Sequence, residues 1–155
     1  LAHKETTSKE IFEDTDGKVD IVVVGIGTSG TAMGLFDGLK KLKPSVQIFG
    51  TEPLESPLLT EGHAHPHKIQ GIGANFVPEL FCREKIDGII DIEAGEAISA
   101  ARTLAKEEGI LVGISSGAIL KAALNLAKQP ENKGKLIVAI MCDSGERYLS
   151  TELFE

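Results

Sequence analysis

Apolar and polar positions alternate along this chain in blocks that predict a repeating strand–helix order. Residues 6–14 read as a short helix that ends near Gly17, and 20–24, with its β-branched apolar run Ile21 to Val24, reads as a strand covered on both faces. Leu35, Leu39 and Leu42 stand at helical spacing over 31–42, with Pro44 just beyond, and Val46 to Gly50 is a second strand. Residues 53–81 are rich in Pro, Gly and His and predict long loops with short helical turns, the kind of segment that carries function more often than packing. Ile86 to Ile92 predicts a strand. The helix that follows, 94–108, gathers Ala97, Ile98, Ala101, Leu104 and Ala105 on one face and offers Gly109 as its C-cap. Leu111 to Ile114 reads as a short strand or bridge into a helix from about Ser116 to Lys128, and Leu136 to Met141 as the last buried strand. This β-α-β order favours parallel pairing with right-handed crossovers, so the expected fold is α/β: a mainly parallel sheet with helices on both faces.

Composition narrows the function classes. A length of 155 residues suits a single domain that buries about two-thirds of its unfolded surface. The net charge of −7 argues against nucleic-acid and acidic-membrane binding. No run approaches the ~18 apolar residues of a membrane span. The two cysteines, Cys82 and Cys142, imply no disulfide framework and suit a reducing cytoplasm. His63, His65 and His67 alternate and on a strand would share a face, as zinc ligands do. Pro66 disrupts such a strand, however, and no cysteine or carboxylate completes the set. Cys142 reads as a small buried residue.

The chemistry concentrates where the first strand ends. Val22-Val23-Val24-Gly25-Ile26-Gly27-Thr28-Ser29-Gly30-Thr31 is a strand that stops at glycines and opens a helix behind three hydroxyls. A helix N-terminus presents unpaired N–H groups and the positive end of a dipole, so this arrangement holds anions. One reading is a dinucleotide loop: Gly25 to Gly30 fits G-x-G-x-x-G, and Glu52 lies where a ribose-binding carboxylate belongs. A second is a cup for a phosphate monoester, whose near-double charge calls for the extra donors of Thr28, Ser29 and Thr31. A third is a turn that only packs a helix on a sheet.

Gly27-Thr28-Ser29-Gly30-Thr31 resembles the phosphate loop of pyridoxal-phosphate enzymes of the tryptophan-synthase-β type. His67 to Ala74 (HKIQGIGA), Gly109 to Ala118 (GILVGISSGA), Ser144 to Thr151 (SGERYLST) and Leu153-Phe154 follow in that family's order and spacing. Together they are similar to cysteine synthase (O-acetylserine sulfhydrylase) over essentially the whole chain. Cystathionine β-synthase shares the fold, but the ending Gly145 to Thr151 favours cysteine synthase.

The resemblance implies the larger, cofactor-binding domain of a two-domain enzyme, with residues 1–155 as its C-terminal part. It implies pyridoxal 5′-phosphate held by Gly27, Thr28, Ser29, Gly30 and Thr31, with Ser115 on the pyridine nitrogen and the Gly71-Ile72-Gly73 backbone passing close to the ring. Ser115 or Ser116 could equally cap the following helix, and Gly71 to Gly73 could be a plain turn. Ser29 stands where the family usually has glycine; if that position needs φ > 0, serine costs about 1 kcal/mol or more. The lysine that carries the cofactor and the loop that binds the substrate carboxylate belong to a half of the family enzyme that this chain does not match, so no catalytic residue is assigned here. The implied reaction is β-replacement, giving cysteine from O-acetylserine and sulfide. The implied partners are a second copy in a homodimer and the C-terminal tail of serine acetyltransferase.

Overall fold

A computed structural model describes all residues from Leu1 to Glu155. The core is a four-stranded parallel sheet in the order β3-β2-β1-β4, with β1 Val19–Gly25, β2 Gln47–Pro53, β3 Gly88–Ile92 and β4 Leu136–Ala139. β1 is central, and its Ile21, Val22, Val23 and Val24 are fully buried, as expected of a strand covered on both sides. Ile21 and Val23 face one helical layer, formed by α4 (Ala94–Glu108) and α5 (Ile114–Ala127). Val22 and Val24 face the other, formed by α1 (Ser8–Asp14) and α2 (Gly30–Leu42). A register shift between Val19 and Ile21 against β4 explains why Val19 joins the second layer despite its odd number. The expected α/β fold with helices on both faces is the observed one.

The boundaries move where polar residues are buried or the chain turns. β2 runs past Gly50 to Pro53, because Thr51, Glu52 and Pro53 pair with Ile90, Asp91 and Ile92 of β3. β3 begins at Gly88, after a helical turn at Arg83–Lys85. β4 ends at Ala139, short of Met141. α1 is preceded by a wider π-helical turn, His3–Thr7. The 53–81 segment holds one short helix, α3 (Leu58–Glu61). α4 and its Gly109 cap, at φ +70°, match the expectation. α5 starts at Ile114 with Gly113 as its N-cap, so Ser115 and Ser116 lie inside its first turn and neither caps it. A Cβ on Gly117 would run into the Ala97 carbonyl, and so α4 and α5 pack backbone against backbone. No helix is long and apolar enough to cross a membrane.

Candidate functional site

The C-terminal end of β1 and the N-termini of α2 and α5 meet at one edge of the sheet, where parallel α/β folds place their ligand sites. They enclose a cavity of about 290 Å³ lined by Gly25, Gly27, Thr28, Ser29, Gly30, Thr31, Gly71, Ile72, Ser115, Cys142 and Asp143. Gly27 to Thr31, Gly71, Ile72 and Ser115, nominated from the sequence, all line this cavity, while Gly73 does not. No lysine does.

The β1–α2 loop turns a row of free donors toward the cavity. Its backbone N–H groups from Gly27 to Ala32 donate to no protein acceptor, the first hydrogen bond of α2 being Met33 N–H to the Ser29 carbonyl at 2.9 Å. Ser29 is the N-cap, in the left-handed region at φ +68°, so the serine sits where glycine is cheaper. It is 2% exposed, and its Oγ is buried without a hydrogen-bond partner. A strained residue with an unsatisfied buried hydroxyl marks a place where an external group completes the bonding. A Cβ on Gly27 would lie 2.5 Å from the Gly71 carbonyl oxygen, which explains why glycine stands where the two loops touch.

The opposite wall presents Ser115. Gly71 adopts φ +93°, and a Cβ there would come within 3.6 Å of the Ser115 Oγ, so glycine leaves the path to that hydroxyl open. Ser115 is buried and makes no hydrogen bond that would turn its hydroxyl away from the cavity. Ser116, its neighbour, is committed elsewhere: its Oγ accepts the Cys142 N–H at 2.9 Å. Between phosphate loop and serine the cavity fits a flat group with an anionic tail, as pyridoxal phosphate is.

Two contributors, His3 and Asp143, escaped the sequence. His3 Nε2 lies 3.2 Å from the Thr31 Oγ1 and its Nδ1 3.1 Å from the Thr7 Oγ1. With Thr7 donating to Nδ1, the Nε2–H donates to Thr31 and leaves the threonine proton for the cavity. Asp143 accepts the Tyr148 hydroxyl at 2.6 Å on Oδ2, while its Oδ1 is buried and unpartnered. Its side chain fills the space that a Gly113 Cβ would need, which seats the α5 N-terminus. Burial and the Asp143 charge push the Tyr148 phenol up to about 12. Tyr148 itself belongs to the SGERYLST motif, but neither the His3–Thr31 pairing nor the Gly113–Asp143 contact has a local signal. Cys142 also corrects the sequence reading: it is exposed at the cavity wall, since β4 ends before it. Partial desolvation of its sulfur against the cavity wall and the charge of Asp143 push its thiol up, which disfavours the thiolate.

The structure disposes of two rival readings. Glu52 is 1% exposed, and its carboxylate accepts Leu59 N–H at 3.0 Å, Thr60 N–H at 2.9 Å and the Thr60 hydroxyl at 2.8 Å, leaving no oxygen for a ribose. The three histidines form no metal-binding group: His67 Nε2 is 2.7 Å from the Gly73 carbonyl, and His63 pairs with Glu61 at 3.0 Å.

Residues 1–143 match the family described as pyridoxal-phosphate dependent enzyme. Over 153 residues the chain is 49% identical to "Cysteine synthase 3" of Caenorhabditis elegans, covering 99% of this chain and 45% of that protein. Over 160 residues it is 48% identical to "Cysteine synthase" of Haemophilus influenzae, covering 99% of this chain and 51% of that protein. Among solved structures it superposes on O-acetylserine sulfhydrylase isoform 3 from Entamoeba histolytica with a TM-score of 0.94 at 47% identity, over 96% of this chain and 44% of that one. The chain thus spans about half the length of the curated relatives it matches.

Proposed function

The chain belongs to the pyridoxal-phosphate-dependent enzymes, and from that premise we propose that it is the cofactor-cradling part of a cysteine synthase. The observation that carries this reading is the gathering of Gly27 to Thr31, Gly71 and Ser115 around one cavity whose loop N–H groups and Ser29 hydroxyl lack protein partners. The chemistry the cofactor supplies when bound is an electron sink for negative charge at the substrate α-carbon.

In this reading the Gly27–Thr31 loop holds the phosphate through backbone N–H groups and the Thr28, Ser29 and Thr31 hydroxyls. The Gly71 backbone would lie beside the ring and keep water from it. Ser115 meets the ring nitrogen with a neutral hydroxyl, and Asp143 with Tyr148 fixes the helix end from which it projects. A neutral partner does not force a proton onto that nitrogen, which suits β-elimination and replacement over deeper delocalisation. No lysine lines the cavity, so none of the residues on it would supply the amine that holds the cofactor. The substrates we propose are O-acetylserine and sulfide, the setting a reducing cytoplasm in keeping with two free cysteines. The partners are a second copy of the whole enzyme and the tail of serine acetyltransferase.

The test is to supply the chain with the complementary half of a cysteine synthase relative and assay cysteine formation from O-acetylserine and sulfide. Turnover is expected. A folded, cofactor-loaded assembly that makes no cysteine, while another substrate reacts, would overturn the β-replacement reading and leave the phosphate site standing.

A further inference from the structure

Outside the cavity, two carboxylates from neighbouring strands face each other across a single hydroxyl. Glu52 of β2 and Asp91 of β3 are directly paired in the sheet register, so their side chains leave the same face. The Thr60 Oγ1 lies 2.8 Å from the Glu52 Oε1 and 3.1 and 3.3 Å from the two Asp91 oxygens. One hydroxyl proton cannot serve both acids. Glu52 already takes the Leu59 and Thr60 N–H groups and lies nearest the Thr60 hydroxyl, which makes it the acceptor of that proton. Asp91 then meets a lone pair of Thr60 unless it carries a proton of its own. When it does, the bonds run in one direction, from Asp91 O–H to the Thr60 oxygen and from Thr60 O–H to Glu52.

The segment held by this arrangement reaches the cavity. Ser56, 1% exposed, donates its hydroxyl to the Asn75 Oδ1 at 3.0 Å and accepts the His65 N–H at 3.1 Å. Asn75 follows Gly71-Ile72-Gly73, whose Gly73 N–H binds the Ile26 carbonyl at 3.1 Å beside the phosphate loop.

We propose that Glu52, Asp91 and Thr60 form a proton-operated clasp: with Asp91 protonated it tightens the 54–62 segment and, through Ser56 and Asn75, the Gly71–Ile72 wall of the cavity. The ionisable groups facing Asp91 are Glu52 from β2 and Glu61 from α3. Both are acidic, no lysine or arginine pairs with Asp91 or Glu52, and His63 pairs only with Glu61. Burial, then the charges of Glu52 and Glu61, push Asp91 up to about 6 against the opposing pull of the Thr60 hydrogen bond. A carboxyl raised in the folded state contributes stability that is complete below its unfolded value of about 4 and is lost as pH rises through about 6. Below that window the clasp is shut; above it, loosened.

The consequence for the cofactor rests on the proposed reading of the cavity, but the test uses no ligand, so either can fail alone. Amide hydrogen exchange of the full chain, corrected for intrinsic rates, is compared at pH 5 and pH 7.5. Amides of residues 59–62 and 71–75 are expected to exchange several-fold more slowly at pH 5. In Asp91→Asn, whose amide donates without titrating, they stay slow at both pH values. In Ser56→Ala, residues 59–62 keep the response and 71–75 lose it. Equal protection of the wild type at both pH values, or an unchanged response in Asp91→Asn, overturns the clasp; a response at 71–75 that survives Ser56→Ala overturns the link to the cavity. Carbon-13 titration of the wild-type Asp91 carboxyl needs no variant: a midpoint near 6 supports the proposal and one near 4 refutes it.

Discussion

Thr31→Ala removes one hydroxyl from the floor of the cavity and leaves the α2 backbone as it is. Thr31 lies in the first turn of α2, where its Oγ1 faces both the cavity and the His3 Nε2 at 3.2 Å. If that hydroxyl donates to a phosphate dianion, its loss removes a hydrogen bond to a charged acceptor, worth about 1–3 kcal/mol, or roughly 5–150-fold in affinity. The cost to folding is smaller, because His3 is only half-buried and water replaces the lost partner, so the penalty stays near 0.5–1 kcal/mol. Calorimetric titration of the chain with pyridoxal phosphate, beside thermal unfolding, separates the two quantities. Thr31→Ser, which keeps the hydroxyl, should bind within about threefold of the wild type, a difference of under 1 kcal/mol. Unchanged affinity in both Thr31→Ala and Thr28→Ala, with the fold intact, would mean that these hydroxyls only build a turn.

Three further outcomes are expected. His3→Ala should weaken the same titration by about 0.5–1.5 kcal/mol, less than Thr31→Ala, because it disturbs only the orientation of the Thr31 proton; a larger loss would place His3 itself on the ligand. Cys142 should alkylate with iodoacetamide at pH 8 more slowly than glutathione, since partial desolvation and the Asp143 charge raise its thiol despite its exposure; faster labelling would contradict that electrostatic picture. Borohydride reduction of the chain with pyridoxal phosphate should leave no lysine stoichiometrically labelled, and the chain alone should make no cysteine. Catalysis needs the amine held within about 3–3.5 Å of its target, and no lysine lines the cavity. One fully labelled lysine with turnover would refute this.

The parts of the fold written in local pattern were legible. The apolar run Ile21 to Val24 of β1, the glycine–hydroxyl loop and the amphipathic α4 are each specified by residues adjacent in sequence, and each lies where expected. Even the strain at Ser29 was foreseeable as a conditional, and its φ of +68° meets the condition. What failed to show were features decided by distant partners. Thr51 and Glu52 look like the end of a strand because they are polar, yet pairing with β3 and the Thr60 donors bury them and carry β2 onward. The same burial turns Glu52 from a ribose-binding candidate into a structural acceptor. His3 reaches Thr31 across 28 positions and Asp143 seats Gly113 from across the sheet edge, contacts that no periodicity announces.

The most direct test of the central claim is a ¹⁵N amide titration of the chain with pyridoxal phosphate, repeated with inorganic phosphate as competitor. A phosphate held by the start of α2 predicts saturable shifts, largest at the N–H groups of Gly27 to Ala32, which have no protein acceptor. Inorganic phosphate should reproduce these shifts, while those at Gly71 and Ser115 should appear only with the whole cofactor. Shifts that leave Gly27 to Ala32 untouched, or that centre on another part of the fold, would contradict the account.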